Sequence, residues 1–180
     1  MQKYISLLRG INVSGQKMIK MAELKSAFEE LKFKNVQTYI QSGNVIFEDK
    51  IQDNSKLSSR IAKMIKEKFG FDVPVTILKG EELSGYFHNN PFLKKRKEDV
   101  SLLHLTLFSD EPDQGNVKLL SEIQSEPDEF ILSGKAFFLF CPAGYGNTKL
   151  TNTTLEKKLK VSATTRNWKT ISELHRMVNE

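Results

Sequence analysis

The sequence predicts an α+β protein in which one order of elements, βαββαβ, occurs twice. Apolar residues recur with a period of 2 in some segments, typical of strands, and of 3.6 in others, typical of helices. Two apolar runs meet at a Ser-Gly pair in residues 40–47 (IQSGNVIF), and two more in residues 131–138 (ILSGKAFF). Each pair of runs predicts a hairpin, because glycine accepts the positive φ of tight turns. Because the two segments are similar, we expect the same turn in both. Interleaved βαβ units of this kind build a ferredoxin-like sandwich.

The first half is predicted within residues 1–80. Its strands are expected at residues 5–8, 36–40, 45–47 and 73–78. A helix over residues 21–33 is indicated by an apolar stripe formed by Leu24, Ala27, Phe28 and Leu31. A second helix, ending at Gly70, carries its own stripe of Leu57, Ile61, Met64 and Ile65.

The second half is predicted within residues 81–180, starting with a connector helix over residues 81–92 and a solvated charged run over residues 94–99. Strands are expected at residues 100–108, 130–132, 136–140 and 163–166. Helices are marked by the apolar positions Val117, Leu120 and Ile123, then Leu155 and Leu159. A further helix, marked by Ile171, Leu174 and Val178, is appended at the end of the chain.

Composition predicts a cytoplasmic protein that needs no cofactor, metal or disulfide to fold. A chain of 180 residues buries roughly 70% of its unfolded surface, enough for one large core or two modest ones. Cys141 is the only cysteine, so no disulfide forms within the chain, and its apolar neighbours favour burial. The sequence has no recognisable signal peptide and no apolar run of the roughly 20 residues that span a bilayer, which disfavours a membrane partner.

The net charge of +5 is unevenly distributed along the chain. Residues 1–80 have a local balance of +6, residues 81–134 of −6 and residues 135–180 of +5. Basic segments at both ends could gather at one cleft and attract an anionic partner. The alternative is that these lysines lie on solvated helix faces.

Two glycine loops precede predicted helices and carry a lysine, residues 9–17 (RGINVSGQK) and 144–152 (GYGNTKLTN). Backbone N–H groups and the positive end of a helix attract phosphate or carboxylate, so both loops are candidate anion sites. Neither contains the nucleotide fingerprints GxxxxGK[ST] or GxGxxG. Ordinary turn chemistry is the alternative, with Thr151 or Asn152 as a helix N-cap.

A third candidate is residues 163–170 (ATTRNWKT), in which Trp168 stands beside Arg166 and Asn167. A ring, a guanidinium and an amide suit the stacking of a flat ligand and the binding of its acid group. Alternatively, Trp168 fills the core under the last helix and Thr170 caps that helix.

Catalytic and metal motifs are absent from the sequence. His88, His104 and His175 show no HxH, HExxH or Cys/His spacing, and no GxSxG elbow occurs. His104 alternates with Leu103, Leu105 and Leu107, and is therefore expected to point away from the core that these leucines enter.

Four motifs together resemble the domain-of-unknown-function family 1697: residues 9–13 (RGINV), 41–44 (QSGN), 149–152 (KLTN) and 164–168 (TTRNW). Ser14 departs from the glycine that members usually carry there. The resemblance spans nearly the whole chain and implies a small, uncharacterised, largely bacterial cytoplasmic protein. It also implies that the polar motif residues share one surface, namely Arg9, Asn12, Gln41, Asn44, Lys149, Asn152, Arg166 and Asn167.

These observations favour binding over catalysis, since the motif set is rich in cations and amides and contains no carboxylate. The expected partner is a phosphate-bearing small molecule, a nucleotide, or a nucleic acid, although the RNP1 pattern of RNA-binding sheets is missing. The predicted ligand-binding residues are Arg9, Asn12, Lys17, Gln41, Ser42, Asn44, Lys149, Asn152, Arg166, Asn167 and Trp168.

Two alternatives stay open at this point. One is an enzyme in which Lys149 or Arg166 stabilises negative charge that develops on a transferred group. The other is a structural or dimerisation module without a ligand, in which the motifs only hold the fold together. The sequence leaves the ligand, any reaction, the oligomeric state and the packing of the two halves open.

Overall fold

The computed structural model describes residues 1–50 and 53–180. The strands are β1 (Gln2–Leu8), β2 (Lys34–Tyr39), β3 (Asn44–Asp49), β4 (Val75–Lys79), β5 (Leu103–Phe108), β6 (Glu129–Ser133), β7 (Ala136–Phe140) and β8 (Ala163–Asn167). The α-helices are α1 (Met21–Glu30), α2 (Asn54–Phe69), α3 (Gly80–His88), α4 (Pro91–Lys95), α5 (Gln114–Val117), α6 (Asn152–Leu159) and α7 (Trp168–Asn179). Single 3₁₀ segments cover Val100–Leu102, Lys118–Glu122 and Tyr145–Asn147.

The chain divides into two compact units. Unit 1 comprises Met1–Ser84 together with Leu174–Glu180, and unit 2 comprises Gly85–Glu173. Each unit holds one four-stranded antiparallel sheet, in the order β2-β3-β1-β4 in unit 1 and β6-β7-β5-β8 in unit 2. These equivalent orders confirm the predicted α+β class with two βαββαβ halves and an appended helix.

The core of unit 1 is built around Phe47 on β3. Its ring lies 4.3 Å from that of Phe33 and 5.6 Å from those of Tyr4 and Phe28, measured between centroids. Burying one such side chain stabilises a fold by about 1.5–3 kcal/mol. The predicted apolar stripe of α2 is confirmed, because Leu57, Ile61, Met64 and Ile65 are all buried.

Helices α1 and α2 of unit 1 have identifiable ends. Asp53 caps α2 by accepting from the backbone N–H of Ser55, and Gly70 ends it in the predicted left-handed conformation, with φ of 77°. The prediction that α1 continues to residue 33 is wrong. Lys32 has a φ of 67°, which ends the helix after Glu30, while Phe33 still reaches the core from the turn.

The final residues of the chain complete unit 1. Lys3 Nζ donates to the backbone oxygen of Val178 at 2.8 Å, and so satisfies a carbonyl in the last turn of α7. A Cβ atom on Gly80 would lie 2.6 Å from Val178 Cγ1. The start of α3 therefore packs so closely on the end of α7 that a larger residue has no space.

In unit 2 the helix-covered face of the sheet carries Phe108, Phe137 and Leu139, and α6 places Leu155 and Leu159 against them. Every residue of β5 is buried, on both faces of the strand. His104 does lie on the face opposite the three leucines, but it is only 9% exposed. The expectation that it points away from the core that the leucines enter is confirmed, and the face on which it lies is buried as well.

Two further predicted elements of unit 2 begin or end elsewhere. The single helix over residues 81–92 is in fact α3 followed by α4, because Pro91 cannot continue a helix and Asn90 Oδ1 starts a new one by accepting from Phe92 N at 3.0 Å. The strand predicted from residue 100 begins at Leu103, after the 3₁₀ segment Val100–Leu102.

The two Ser-Gly hairpins are confirmed, but their turns differ. In unit 1, Tyr39 pairs with Asn44, which leaves a four-residue loop. In unit 2, Ser133 pairs with Ala136, which leaves a two-residue turn. The expectation that the chain makes the same turn twice is therefore wrong.

No helix in residues 1–50 and 53–180 combines the length and the apolar character that a membrane crossing needs.

Gly43 joins the first hairpin to the loop that follows β1. Its φ is 83°, and its carbonyl accepts from Leu8 N at 2.8 Å. An added Cβ would lie 2.7 Å from Ile11 Cδ1 and 2.8 Å from Leu8 Cβ. The hairpin turn and the loop thus meet with no room for a side chain.

Gly43→Ala is expected to lower the free energy of unfolding by about 3 kcal/mol, from left-handed strain of roughly 1–2 kcal/mol and overpacking of roughly 1–3 kcal/mol. Gly70→Ala is the matched control, since its φ is 77° but its Cβ would meet no atom within 4 Å. It should cost only the strain. Equal losses for the two variants in denaturant unfolding would show that the close packing at Gly43 contributes nothing.

Candidate anion-binding cleft

An open cleft of about 740 Å³ lies in unit 1 beside the glycine loop after β1. Its walls are that loop, one position of α2, and the segment that leads into β4. We call it the basic cleft, and its lining residues are Arg9, Gly10, Val13, Ser14, Gln16, Lys17, Ala62, Asp72, Val73 and Pro74.

Cations outnumber carboxylates at the basic cleft. Lys17 Nζ donates to the backbone oxygen of Asp72 at 2.6 Å, which uses one of its three N–H donors. The carboxylate of Asp72 is engaged by Lys66, with Nζ and Oδ2 2.5 Å apart. Arg9 adds a half-buried guanidinium, and its backbone N–H bonds to Pro74 O at 3.0 Å. The balance of charge favours an anion.

The side chain of Asn12 stabilises the loop that forms one wall of the cleft. Its Nδ2 donates to both Ile19 O and Gln41 O at 2.9 Å, and its Oδ1 accepts from Ile19 N at 2.7 Å. One amide therefore closes the glycine loop and fastens it to the hairpin turn. We call this the Asn12 junction.

Ser42 and Asn44 hold the hairpin turn itself. Asn44 is fully buried, and its Nδ2 donates to Tyr39 O and to Ser42 Oγ at 3.0 Å each. The polar groups of the QSGN motif thus act within the turn, where they fix the surface against which the glycine loop packs.

In unit 2, Lys149 is exposed and Asn152 is bound locally. Asn152 Oδ1 accepts from the Thr165 hydroxyl at 2.7 Å, and Thr165 Oγ1 lies 2.6 Å from Thr106 Oγ1. The N-cap of α6 is Thr151, one of the two predicted, which accepts from Thr154 N at 3.2 Å. This motif ties the start of α6 to β8 and β5.

The TTRNW segment also has local roles. Asn167 Oδ1 accepts from Thr170 N at 2.8 Å, so Asn167 caps the first turn of α7 and the expectation that Thr170 is the cap is wrong. Trp168 is buried, with its ring stacked on Phe87 at 5.8 Å. This placement fits the alternative in which Trp168 fills the core.

Arg166 is half-buried and donates from Nη1 to Thr165 O at 3.0 Å. Burial lowers the pKa of its guanidinium to about 10. The side chain therefore keeps its charge at neutral pH.

Of the predicted ligand residues, Arg9 and Lys17 lie together in the basic cleft, and Asn12, Gln41, Ser42 and Asn44 hold the loop and turn beside it. Lys149, Asn152, Arg166, Asn167 and Trp168 belong to unit 2. The sequence analysis missed Asp72. It lies 55 residues from Lys17 along the chain, and no motif marks it.

Ile40 is in an unfavourable conformation at the tip of the first hairpin. Its φ is 48°, which is rare for a β-branched residue, and 49% of the residue is exposed. Asn12, Ser14 and Lys17 in the neighbouring loop also have positive φ values, between 45° and 54°. Backbone strain is thus concentrated around the Asn12 junction.

In unit 2, His104 is a buried residue with a titratable side chain. Its ring stacks on Tyr145 with centroids 4.6 Å apart, and its Nδ1 has no hydrogen-bond partner among the described residues. Burial lowers the pKa of His104, because the charged imidazolium would lose its hydration.

Cys141 is not poised as a nucleophile. Burial, and then the charge of Asp128, raise the pKa of its thiol to about 11, so it stays protonated at neutral pH. No group of three His, Cys, Asp or Glu side chains suited to a metal ion occurs within residues 1–50 and 53–180.

The chain is similar to known proteins in two respects. The profile of the family described as Protein of unknown function (DUF1697) matches residues 1–138, so the chain belongs to this family. The KLTN and TTRNW motifs lie beyond the matched segment. No curated protein matches the chain.

A solved structure shares the fold, that of a conserved bacterial protein from Streptococcus pneumoniae. The TM-score is 0.77 at 23% sequence identity, and the alignment covers 98% of each chain. Similarity at this level of identity extends to the fold of both halves.

Ile40→Asn is expected to raise the free energy of unfolding by about 1 kcal/mol, because asparagine tolerates positive φ and strained residues cost roughly 1–3 kcal/mol. The matched control is Ile131→Asn, at a residue 41% exposed within β6. There the same change should lower stability, since asparagine is a poor strand former. Denaturant unfolding measures both, and a loss at residue 40 would contradict the strain.

Acid is expected to destabilise the protein partly through His104. Because its folded pKa lies below the unfolded value of 6.5, the unfolded chain binds more protons as the pH falls through that value. The free energy of unfolding should therefore decrease below about pH 7. His104→Phe keeps the stacked ring without titration, so it should show a smaller decrease between pH 7.5 and pH 5. Parallel curves for the two proteins would exclude this contribution.

Proposed function

We propose that this DUF1697 protein is a cytoplasmic binding module for a phosphate-bearing ligand, a nucleotide or a nucleic acid, and that the basic cleft is its binding site. The observation that carries the proposal is the meeting of Arg9 and Lys17 in one open cleft. The one carboxylate among its described lining residues, that of Asp72, is already paired with Lys66. Phosphate oxygens are strong acceptors for such charged donors.

The shape of the glycine loop supports this assignment. Gly10 lines the cleft, and a Cβ built on it would meet no atom within 4 Å, so its backbone is open to a ligand from that side. The Asn12 junction holds the loop in one conformation. Donors that are fixed in place before binding cost less entropy to order, which favours affinity.

The chemistry of the cleft favours binding over catalysis. Arg9, Lys17 and Asp72 are the titratable side chains among the described residues that line it, and Asp72 is held by Lys66. General acid–base catalysis needs a group that exchanges protons near neutral pH. This set supplies positive charge and hydrogen-bond donors instead.

The proposed setting is the cytoplasm of a bacterium. The similar structure comes from a bacterium, and Cys141, the only cysteine of the sequence, is buried and forms no disulfide within the chain. Free thiols persist where the environment is reducing.

Inorganic pyrophosphate is the simplest probe of the cleft. Added to isotope-labelled protein, it is expected to shift the NMR amide signals of residues 9–17 and 72–73. Lys17→Gln should weaken binding about tenfold or more, since a hydrogen bond to a charged group contributes about 1.5–3 kcal/mol.

The control is Lys25→Gln, which removes the same charge from an exposed position of α1. Lys25 makes a long ion pair with Glu29, with Nζ and Oε1 3.9 Å apart. Its pyrophosphate affinity should stay within about twofold of the natural protein. The proposal is wrong if pyrophosphate shifts no signals in the cleft at low salt, or if both lysine variants lose affinity equally.

A further inference from the structure

Three exposed apolar side chains flank the residues of the Asn12 junction along the chain, and one of them lines the basic cleft. Seven large hydrophobic side chains are exposed in the described part of the chain, and three of them are Val13 at 55%, Met18 at 62% and Ile40 at 49%. Each is a sequence neighbour of a residue in the Asn12 junction, which joins Asn12, Ile19 and Gln41 by hydrogen bonds of 2.9 Å or less. We call these three side chains the apolar rim.

The rim is continuous with the cleft, because Val13 lines both. It is also close to the cations, since the backbone N–H of Asn12 donates to Lys17 O at 3.1 Å. A ligand that places an anionic group at Lys17 therefore has an apolar surface within reach.

Folding alone does not account for the rim. Ile40 keeps a strained backbone while its side chain stays half in solvent, so burial does not offset the strain. Residues that break a local rule without a gain in packing tend to mark functional surfaces.

We propose that the ligand of the basic cleft is a single-stranded nucleic acid, with its phosphates at Arg9 and Lys17 and the faces of its bases on the apolar rim. This inference rests on the proposed function and adds the class of partner. Single strands expose base faces that duplexes keep stacked, and flat base faces pack on apolar side chains. Unit 1 has 15 basic and 11 acidic side chains, a net charge of +4 that complements a polyanion.

The test uses the full-length protein and a fluorescently labelled single-stranded oligonucleotide of about 12 nucleotides, as RNA and as DNA, with binding followed by anisotropy at two salt concentrations. The rim variant combines Met18→Ser and Ile40→Asn, and it leaves Val13 unchanged because Val13 also lines the basic cleft. Both substituted side chains are exposed, so the core is untouched, and thermal melting verifies folding. Val100→Ser, at a residue 48% exposed in unit 2, is the matched control.

The natural protein is expected to bind the oligonucleotide in at least one form, RNA or DNA, and to bind more weakly at the higher salt concentration. The rim variant should bind it about tenfold more weakly yet keep its affinity for inorganic pyrophosphate, and Val100→Ser should change neither by more than about twofold. A loss of oligonucleotide affinity at unchanged pyrophosphate affinity would show that the rim contacts the bases and not the phosphates.

Four outcomes would overturn the inference. They are unchanged oligonucleotide affinity in the rim variant, equal affinity for a duplex of the same sequence, no oligonucleotide binding at low salt, and binding to vesicles of anionic lipid in place of oligonucleotide. Where pyrophosphate still binds at Lys17, each of these leaves the proposed function standing. Loss of pyrophosphate binding removes both.

Discussion

The side-chain amide of Asn12 is the contact on which the candidate site depends. Three hydrogen bonds from this one group close the glycine loop at Ile19 and fasten it to the hairpin at Gln41. Gly43 then lets the two backbones approach to contact distance. Without the Asn12 side chain, the loop that carries Lys17 would lose its hydrogen bond to the hairpin turn at Gln41, and one wall of the cleft would be held less firmly.

The asparagines of the family motifs therefore stabilise the local structure of loops, turns and helix ends. Asn12, Asn44, Asn152 and Asn167 each use the side chain to hold a loop, a turn, a strand contact or a helix end. An asparagine that holds a glycine-rich loop and one that faces a ligand look alike in a sequence, because both are polar residues among glycines. Only the three-dimensional partners distinguish them.

The helical stripes show how much of the fold was predictable from sequence. Leu57, Ile61, Met64 and Ile65 have the spacing of one helix face, and that face is buried. Strand β5 was harder, since the alternation of its leucines with His104 and Thr106 is typical of a strand with one solvated face, whereas both of its faces are buried. The two hairpins were found from their glycines, but loop length depends on pairing between strands, which a Ser-Gly pair does not specify. The cleft could be predicted only in part, because Lys17 and Asp72 meet through folding alone.

Unit 1 is not a continuous stretch of chain. Its sheet and its first two helices are complete by Phe69 and Lys79, yet Val178, which packs on Gly80 and accepts a hydrogen bond from Lys3, lies 98 residues after Gly80 along the chain. During translation, the surface that Val178 covers therefore stays open to water until Val178 has left the ribosome. Proteolytic removal of residues 174–180 would consequently damage unit 1, although it cuts the chain far from the sheet of that unit.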